Sequence, residues 1–131
     1  MILIAISECE PKRPIPVLMI HGTLDPLFPW YGGVWHGIPK LLETWLKVHQ
    51  CDANTESEDE VALGNMQISR NKPFSYKSKW RKYSLGIVES KWNNCSVQLV
   101  KIIGGSHSWP PQRMSPEAYI WNFFKNSGLI N

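Results

Sequence analysis

Short apolar runs in the sequence predict three β-strands. The runs are residues 2–6, 17–20 and 97–103, and aliphatic side chains, many of them β-branched, fill most of their positions. A run without polar alternation is typical of a strand that is buried on both faces of a parallel sheet. The stretch between residues 52 and 90 is mostly polar and lacks a sustained period, and within it only residues 61–63 suggest a short edge strand.

Two other stretches have the 3.6-residue period of an amphipathic helix. The apolar stripe of the first consists of Ile38, Leu41, Leu42, Trp45, Leu46 and His49. Pro39 suits the first turn of this helix, where the N–H that it lacks would have no partner. In the second, Ser115 is the predicted N-cap, Pro116 the first helical position and Gly128 the point of release. The apolar face of the second helix consists of Tyr119, Ile120, Phe123 and Phe124.

Strands that alternate with helices predict an α/β fold with parallel strands and crossover helices. Three strands are few for such a sheet, so we expect the sheet to be incomplete. The chain has 131 residues, of which 43% are hydrophobic and 19% charged, and this suits a single domain with its own core. Residues 1–131 are therefore predicted to be one partial α/β domain.

Composition argues against several function classes. The net charge of +3 is divided between an acidic run at residues 56–60 and a basic run at residues 77–82. We interpret both runs as solvated loops, because no nucleic-acid-binding motif surrounds them. The longest apolar run, residues 2–6, is too short for a membrane helix and lacks the features of a signal peptide. We therefore expect no membrane segment, and either a cytosolic chain or a true start upstream of Met1.

The motifs for bound cofactors are missing as well. No glycine-rich phosphate loop follows a strand, so nucleotide binding has no support. The three cysteines, Cys9, Cys51 and Cys95, contain no CxxC pair that would indicate a zinc site. The sequence therefore predicts no cofactor and no metal, and its cysteines allow at most one disulfide.

Two loops carry groups suited to acid–base chemistry. Asp25 follows the strand at residues 17–20, and His107 follows the strand at residues 97–103. Neighbouring parallel strands would bring these loops together, and a carboxylate that accepts the Nδ1–H of a histidine fixes its tautomer. Taken singly, Asp25 would also suit a turn before Pro26. His107 would suit an ordinary loop, and His21 is interpreted as a structural residue bonded to nearby backbone.

The loop motifs resemble one family. HGTLDPLFPWYGG at residues 21–33 resembles the HGTxDxxVPYxGG stretch of the α/β-hydrolases similar to polyhydroxybutyrate depolymerases and feruloyl esterases. GGSHSWP at residues 104–110 resembles their GGGHxWPG stretch, and IWNFF at residues 120–124 resembles their IWxFF helix. Trp45 with Cys51 lies where that family has a tryptophan-bearing helix ending near a cysteine. The resemblance extends from about Cys9 to Phe124 and is weakest between residues 52 and 90.

The resemblance implies a serine-dependent carboxylic ester hydrolase that acts on a small or polymeric ester. By analogy Asp25 is the catalytic acid and His107 the general base, while Trp30, Tyr31 and Trp109 are candidates to line the substrate pocket. The family has a cysteine near each of positions 51 and 95, which makes a Cys51–Cys95 disulfide plausible; two free thiols are the alternative. Because members of the family are often secreted, the resemblance also implies an extracellular protein.

The sequence departs from the family in its nucleophile. In α/β-hydrolases the serine lies in Gly-x-Ser-x-Gly and precedes the acid and the base, but here only Ser7 precedes Asp25, and no glycine flanks it. Ser84 lacks the motif and lies between the acid and the base. We therefore expect the C-terminal half of a hydrolase whose N-terminal half is missing. The alternatives are a non-catalytic binding protein derived from an esterase, and one chain of a two-chain enzyme.

Overall fold

A computed structural model of the chain describes residues 13–34, 36–60, 86–109 and 116–128. The described residues contain four strands and two α-helices, together with one short 3-10 helix at Ala53–Thr55. In chain order these are β1 (Val17–Gly22), α1 (Ile38–Val48), β2 (Ser57–Glu60), β3 (Ile87–Lys91), β4 (Val97–Ile102) and α2 (Glu117–Asn126). The strands form one small mixed sheet in the order β1-β4-β3-β2.

The parallel part of the sheet is the pair β1 and β4. Val17 lies opposite Val97, and the register runs without interruption to Gly22 opposite Ile102. The sequence predicted both strands and their parallel pairing, and the structure confirms them. Because the two strands end at the same edge of the sheet, the loops that follow them are neighbours in space.

The other half of the sheet is antiparallel, and here the prediction of parallel strands throughout is wrong. β3 pairs antiparallel with β4 on one side and with β2 on the other. Only five residues connect β3 to β4, and a connection that short permits an antiparallel hairpin but no parallel crossover. Asn94 takes a left-handed conformation in this turn, with φ of 50°.

Helices cover both faces of the sheet. Tyr119 of α2 packs on one face, in a cluster with Ile87, Val100, Ile102, Leu18 and Ile20. Ile38 of α1 packs on the opposite face, in a cluster with Leu99, Trp30, Met19 and Leu42. Neighbouring strand residues such as Leu99 and Val100 belong to different clusters, as expected when successive side chains point to opposite faces.

The second helix begins one residue later than the sequence predicted. Pro116 is the N-cap rather than the first helical residue, and its carbonyl accepts a hydrogen bond of 2.8 Å from the Ile120 N–H. Several predictions fall outside the described residues: the strands at residues 2–6 and 61–63, Cys9, the basic run at 77–82, Ser84 and the cap Ser115. Within the described part of the chain, neither α-helix has the length and apolar character needed to cross a bilayer.

Candidate active site

The loop after β1 holds the Asp25 carboxylate in a fixed orientation. Its Oδ1 atom accepts hydrogen bonds of 2.9 Å from the backbone N–H groups of Leu27 and Phe28. Aspartate favours this position because its side chain can replace a backbone acceptor in a turn. The turn engages one carboxylate oxygen and leaves Oδ2 to face the neighbouring loop. Asp25 therefore stabilises the turn through Oδ1, and its Oδ2 is available to a residue of the neighbouring loop.

The loop after β4 brings His107 to that second oxygen. The Nδ1 atom of His107 lies 2.8 Å from Oδ2 of Asp25, although the two residues are 82 positions apart in sequence. Gly104 turns the chain with φ of 73°, a conformation that glycine adopts at little cost. The Phe28 ring packs beside the imidazole, with 5.5 Å between the ring centroids.

Backbone contacts clamp the two loops together. The Thr23 N–H donates to the Ile102 carbonyl at 3.0 Å, and the Leu24 N–H donates to the Gly105 carbonyl at 2.9 Å. The Gly104 N–H donates to the Thr23 hydroxyl oxygen at 2.8 Å. Gly22 and Gly105 face each other so closely that a Cβ on Gly22 would lie 2.3 Å from the Gly105 carbonyl oxygen. The loops therefore approach more closely than any larger residue at position 22 would allow.

The Asp25 carboxyl is buried, with 5% of its surface exposed. Burial raises its pKa, but the hydrogen bonds from the Phe28 N–H, the His107 ring and the Leu27 N–H together outweigh that effect and hold the pKa below its ordinary value. Asp25 is thus an ionised acceptor at neutral pH. A carboxylate in this position fixes the imidazole with its proton on Nδ1 and leaves Nε2 to take up or release a proton.

His21 lies on the other side of the same carboxylate. Its Nε2 atom is 2.9 Å from the Phe28 carbonyl oxygen and 3.7 Å from Oδ2 of Asp25. The ring also lies near Trp30, at 6.2 Å between centroids. These contacts match the structural role that the sequence predicted for this histidine, since they tie the end of β1 to the turn that orients Asp25.

A cavity of about 480 Å³ borders the pair. Its lining combines the end of β1, the first turns of α1 and the loop that carries His107, with contributions from Met19, Ile20, Ile38, Leu41 and Trp109. Four consecutive β1 residues, from Met19 to Gly22, border this cavity. Since successive strand residues point to opposite faces, the cavity borders both faces of the sheet near the carboxyl end of β1, and Ile102 of β4 also lines it. The His107 side chain is 42% exposed and borders the same space.

The three predicted pocket aromatics have different positions. Trp109 lines the cavity and is largely exposed. Trp30 does not line it, because its indole is buried in the core against Ile38 and Leu99. Tyr31 does not line it either, and 71% of its surface is exposed. Adjacent sequence positions thus place one aromatic in the core and one on the surface.

The cysteine pair lies at the far end of the sheet from the acid–base pair. Cys51, just after α1, and Cys95, just before β4, are joined as a disulfide with their Cα atoms 5.5 Å apart. Among the residues that the structure describes, no group of three or more His, Cys, Asp or Glu side chains could hold a metal ion. The Asp25–His107 pair places an oriented imidazole beside the cavity, an arrangement that suits proton transfer to or from a group that enters it.

Sequence reasoning missed the residues that connect the loops. We call the loop after β1 that carries Asp25 the acid loop, and the loop after β4 that carries His107 the base loop. The contacts between them involve Gly22, Thr23 and Gly105. Phe28 contributes both a backbone donor and a ring. A signal was present in the glycines that follow each strand, because a glycine at the end of a buried strand often marks a close approach of two backbones.

Searches with the chain against protein-family models, curated proteins and solved structures give no significant match.

Proposed function

We propose that this chain supplies the acid and the base of a serine-dependent carboxylic ester hydrolase. The observation that carries the proposal is the 2.8 Å contact between Asp25 Oδ2 and His107 Nδ1 at the carboxyl ends of two adjacent parallel strands. In open α/β sheets, catalytic and binding groups lie on the loops at this edge. The motifs around both residues resemble those of the depolymerase and feruloyl esterase-like hydrolases, which supports the same assignment.

In the proposed reaction His107 acts through its Nε2 atom. It accepts the proton of a serine hydroxyl as the oxygen attacks the ester carbonyl, and it then donates that proton to the leaving alcohol. Water next attacks the acyl-serine, again with His107 as the base, and the carboxylic acid leaves. Asp25 holds the imidazole in place and stabilises its protonated form through Oδ2.

The nucleophile must come from outside the described residues. The sequence contains no Gly-x-Ser-x-Gly, the motif that presents the serine and one oxyanion donor in this fold class. The cavity at the carboxyl end of β1 lies next to His107 and offers room for the element that carries the serine. We propose that this element belongs to an N-terminal half encoded upstream of Met1, with a separate polypeptide as the alternative source.

The decisive experiment is to sequence the transcript upstream of Met1 and to express the extended protein. We expect an in-frame Gly-x-Ser-x-Gly within roughly one domain length. The extended protein should hydrolyse p-nitrophenyl acyl esters, and replacement of the motif serine by alanine should abolish turnover. A stop codon directly upstream, in a transcript that starts near Met1, would contradict a single-chain esterase. Co-purification with a serine-bearing chain would then identify the two-chain form.

A binding protein is the second candidate, and the mainly apolar cavity favours it. A cavity of about 480 Å³ has the size of a typical small-molecule pocket, and it exists next to His107 without a nucleophile. Trp109 lines it, so bound acyl or aromatic ligands should change the tryptophan fluorescence of the chain. Saturable quenching by a feruloyl ester that the protein leaves intact, lost in Trp109→Leu, would support this function. Quenching that is unchanged in Trp109→Leu would contradict binding at this cavity.

A further inference from the structure

Besides the Asp25–His107 contact, a side-chain hydrogen bond between described residues joins the acid loop to the base loop. The Thr23 hydroxyl oxygen accepts the Gly104 N–H at 2.8 Å, across 81 residues of sequence. The same threonine donates its own N–H to the Ile102 carbonyl at 3.0 Å. Thr23 thus contacts the last residue of β4 through its backbone and the base loop through its side chain.

The hydrogen bond between Thr23 and Gly104 lies close to both Asp25 and His107. Thr23 lies two residues before Asp25, and Gly104 lies three residues before His107. The strand pairing of β1 and β4 ends at Gly22 and Ile102, so the Gly104 N–H has left the strand ladder when it meets the hydroxyl. Gly104 also has the left-handed φ of 73° that redirects the chain toward Asp25. The hydroxyl therefore replaces a ladder acceptor at the residue where the base loop turns.

We infer that Thr23 is a positioning residue that sets the separation of Asp25 and His107. Its hydroxyl fixes the turn at Gly104, and the turn fixes the approach of the imidazole to Oδ2. The Leu24 N–H bond to the Gly105 carbonyl holds the next residues in register, but it is made by backbone and depends on no particular side chain. The hydrogen bond of the Thr23 hydroxyl depends on a side chain, so a substitution can remove it. The consequence of Thr23 for catalysis rests on the proposed function, whereas its effect on the distance between Asp25 and His107 does not.

The test uses the 131-residue chain and needs no ester hydrolysis. The proton on His107 Nδ1 is followed by NMR, where a strong hydrogen bond to a carboxylate moves its resonance downfield and slows its exchange with water. Thr23→Val removes the hydroxyl and keeps the shape of the side chain, and Thr23→Ser restores the hydroxyl. We expect exchange of this proton to rise about tenfold in Thr23→Val, the factor that corresponds to the loss of one hydrogen bond, and to stay near wild type in Thr23→Ser.

The outcomes separate this inference from the proposed function. An unchanged Nδ1 proton in Thr23→Val, or the same change in Thr23→Ser, would overturn the positioning role. If Thr23→Val does not fold, amide exchange in the wild-type chain decides, since an unprotected Gly104 N–H overturns the role and a protected one that Thr23→Ser preserves supports it. Absence of the downfield proton in the wild type would contradict the Asp25–His107 hydrogen bond, and with it both proposals. An intact pair in an extended protein that cleaves no ester would defeat the proposed function alone.

Discussion

Two carboxylates in this structure each hold a ring side chain by a hydrogen bond, and they differ in what surrounds the ring. Asp25 binds the imidazole of His107 beyond the end of β4, and Glu89 binds the phenol of Tyr119 near the beginning of that strand. Both pairs join residues distant in sequence, by 82 and 30 positions. Each therefore depends on the tertiary fold and not on a local turn.

The Glu89–Tyr119 pair has several protein partners and borders a smaller cavity of about 220 Å³. The Gln98 side-chain amide donates to Glu89 at 2.7 Å and to the Tyr119 hydroxyl at 2.6 Å, and the Lys91 ammonium lies 2.6 Å from the other Glu89 oxygen. Only 7% of the Tyr119 surface is exposed. Burial and the nearby carboxylate raise the pKa of the Tyr119 phenol well above its ordinary value. This phenol stays protonated and has its partners within the protein.

The Asp25–His107 pair differs in the exposure of its ring, because 42% of the His107 side chain is exposed. Its ring borders the cavity of about 480 Å³, and the imidazole has a second nitrogen, Nε2, beyond the one that contacts Asp25. A carboxylate with a ring partner is thus no sign of chemistry by itself. What distinguishes the candidate site is a ring with one nitrogen held by the protein and the other available to a ligand.

The largest expected effect concerns catalysis by the extended, serine-bearing protein. Asp25→Asn should lower kcat for ester hydrolysis by about 10⁴-fold, because the amide no longer holds the imidazole in the productive tautomer. Glu89→Gln is the matched control, and its kcat should stay within a few-fold of wild type. Steady-state kinetics with a p-nitrophenyl ester measures both values. Comparable losses of kcat in the two variants would remove the distinction between the pairs.

The second prediction concerns the free energy of unfolding. Tyr119→Phe deletes the hydroxyl that Glu89 and Gln98 contact, so it should cost about 1–3 kcal/mol for the buried partners left behind. Tyr31→Phe is the control, because that ring is 71% exposed and the change should stay within about 0.5 kcal/mol. Urea denaturation of the chain provides the comparison. Equal effects at the two positions would show that the Glu89 network adds little stability.

A third prediction follows from the raised pKa of Tyr119. The unfolded chain ionises this phenol near pH 10, while the folded chain keeps it protonated. The contribution of Tyr119 to stability is therefore complete below about pH 10 and is lost as the pH rises through the folded pKa. Unfolding experiments between pH 9 and roughly 11 should show a steeper loss of stability in the wild type than in Tyr119→Phe. Parallel curves for the two proteins would contradict the assignment.

The smallest expected effect is at acid pH and comes from Asp25. Its pKa is lower in the folded chain than in the unfolded one, so its contribution to stability is present above the unfolded pKa of about 4 and is lost as the pH falls through the folded value. Asp25→Asn should lose less stability than the wild type on acidification from pH 6. Thermal melts across that range measure the difference. An identical acid dependence of the two proteins would indicate that the Asp25 hydrogen bonds do not favour the ionised form.

The sequence predicted β1, β4 and α1 because most of the side chains that they bury or partly bury are apolar. β2 and β3 were missed, since both carry charged side chains within the sheet: Glu58 of β2 pairs with Lys101, which is buried although it lies in β4, and Glu89 of β3 is held by Tyr119. Ion pairs and hydrogen bonds between distant residues remove the apolar periodicity on which such predictions depend. The hairpin turn at Asn93 and Asn94 was the available signal.

The sequence predicted that Asp25 and His107 lie close together, but not which residues hold their loops in place. Asp25 and His107 could be paired from the sequence because each follows an apolar strand, and strand ends meet in a parallel sheet. The role of Thr23 could not, since its partner is a backbone N–H whose position depends on the turn at Gly104. Trp30 and Tyr31 show the same limit, because the loop conformation decides which of two adjacent rings enters the core.

The Cys51–Cys95 disulfide joins the end of α1 to the beginning of β4, while the acid–base pair lies beyond the end of β4. The disulfide and the Asp25–His107 contact therefore lie at opposite ends of one strand. Insertions or exchanges in the loops at the carboxyl edge leave the tied end unstrained, so a lineage can remodel what enters the cavity while the scaffold beneath it stays anchored.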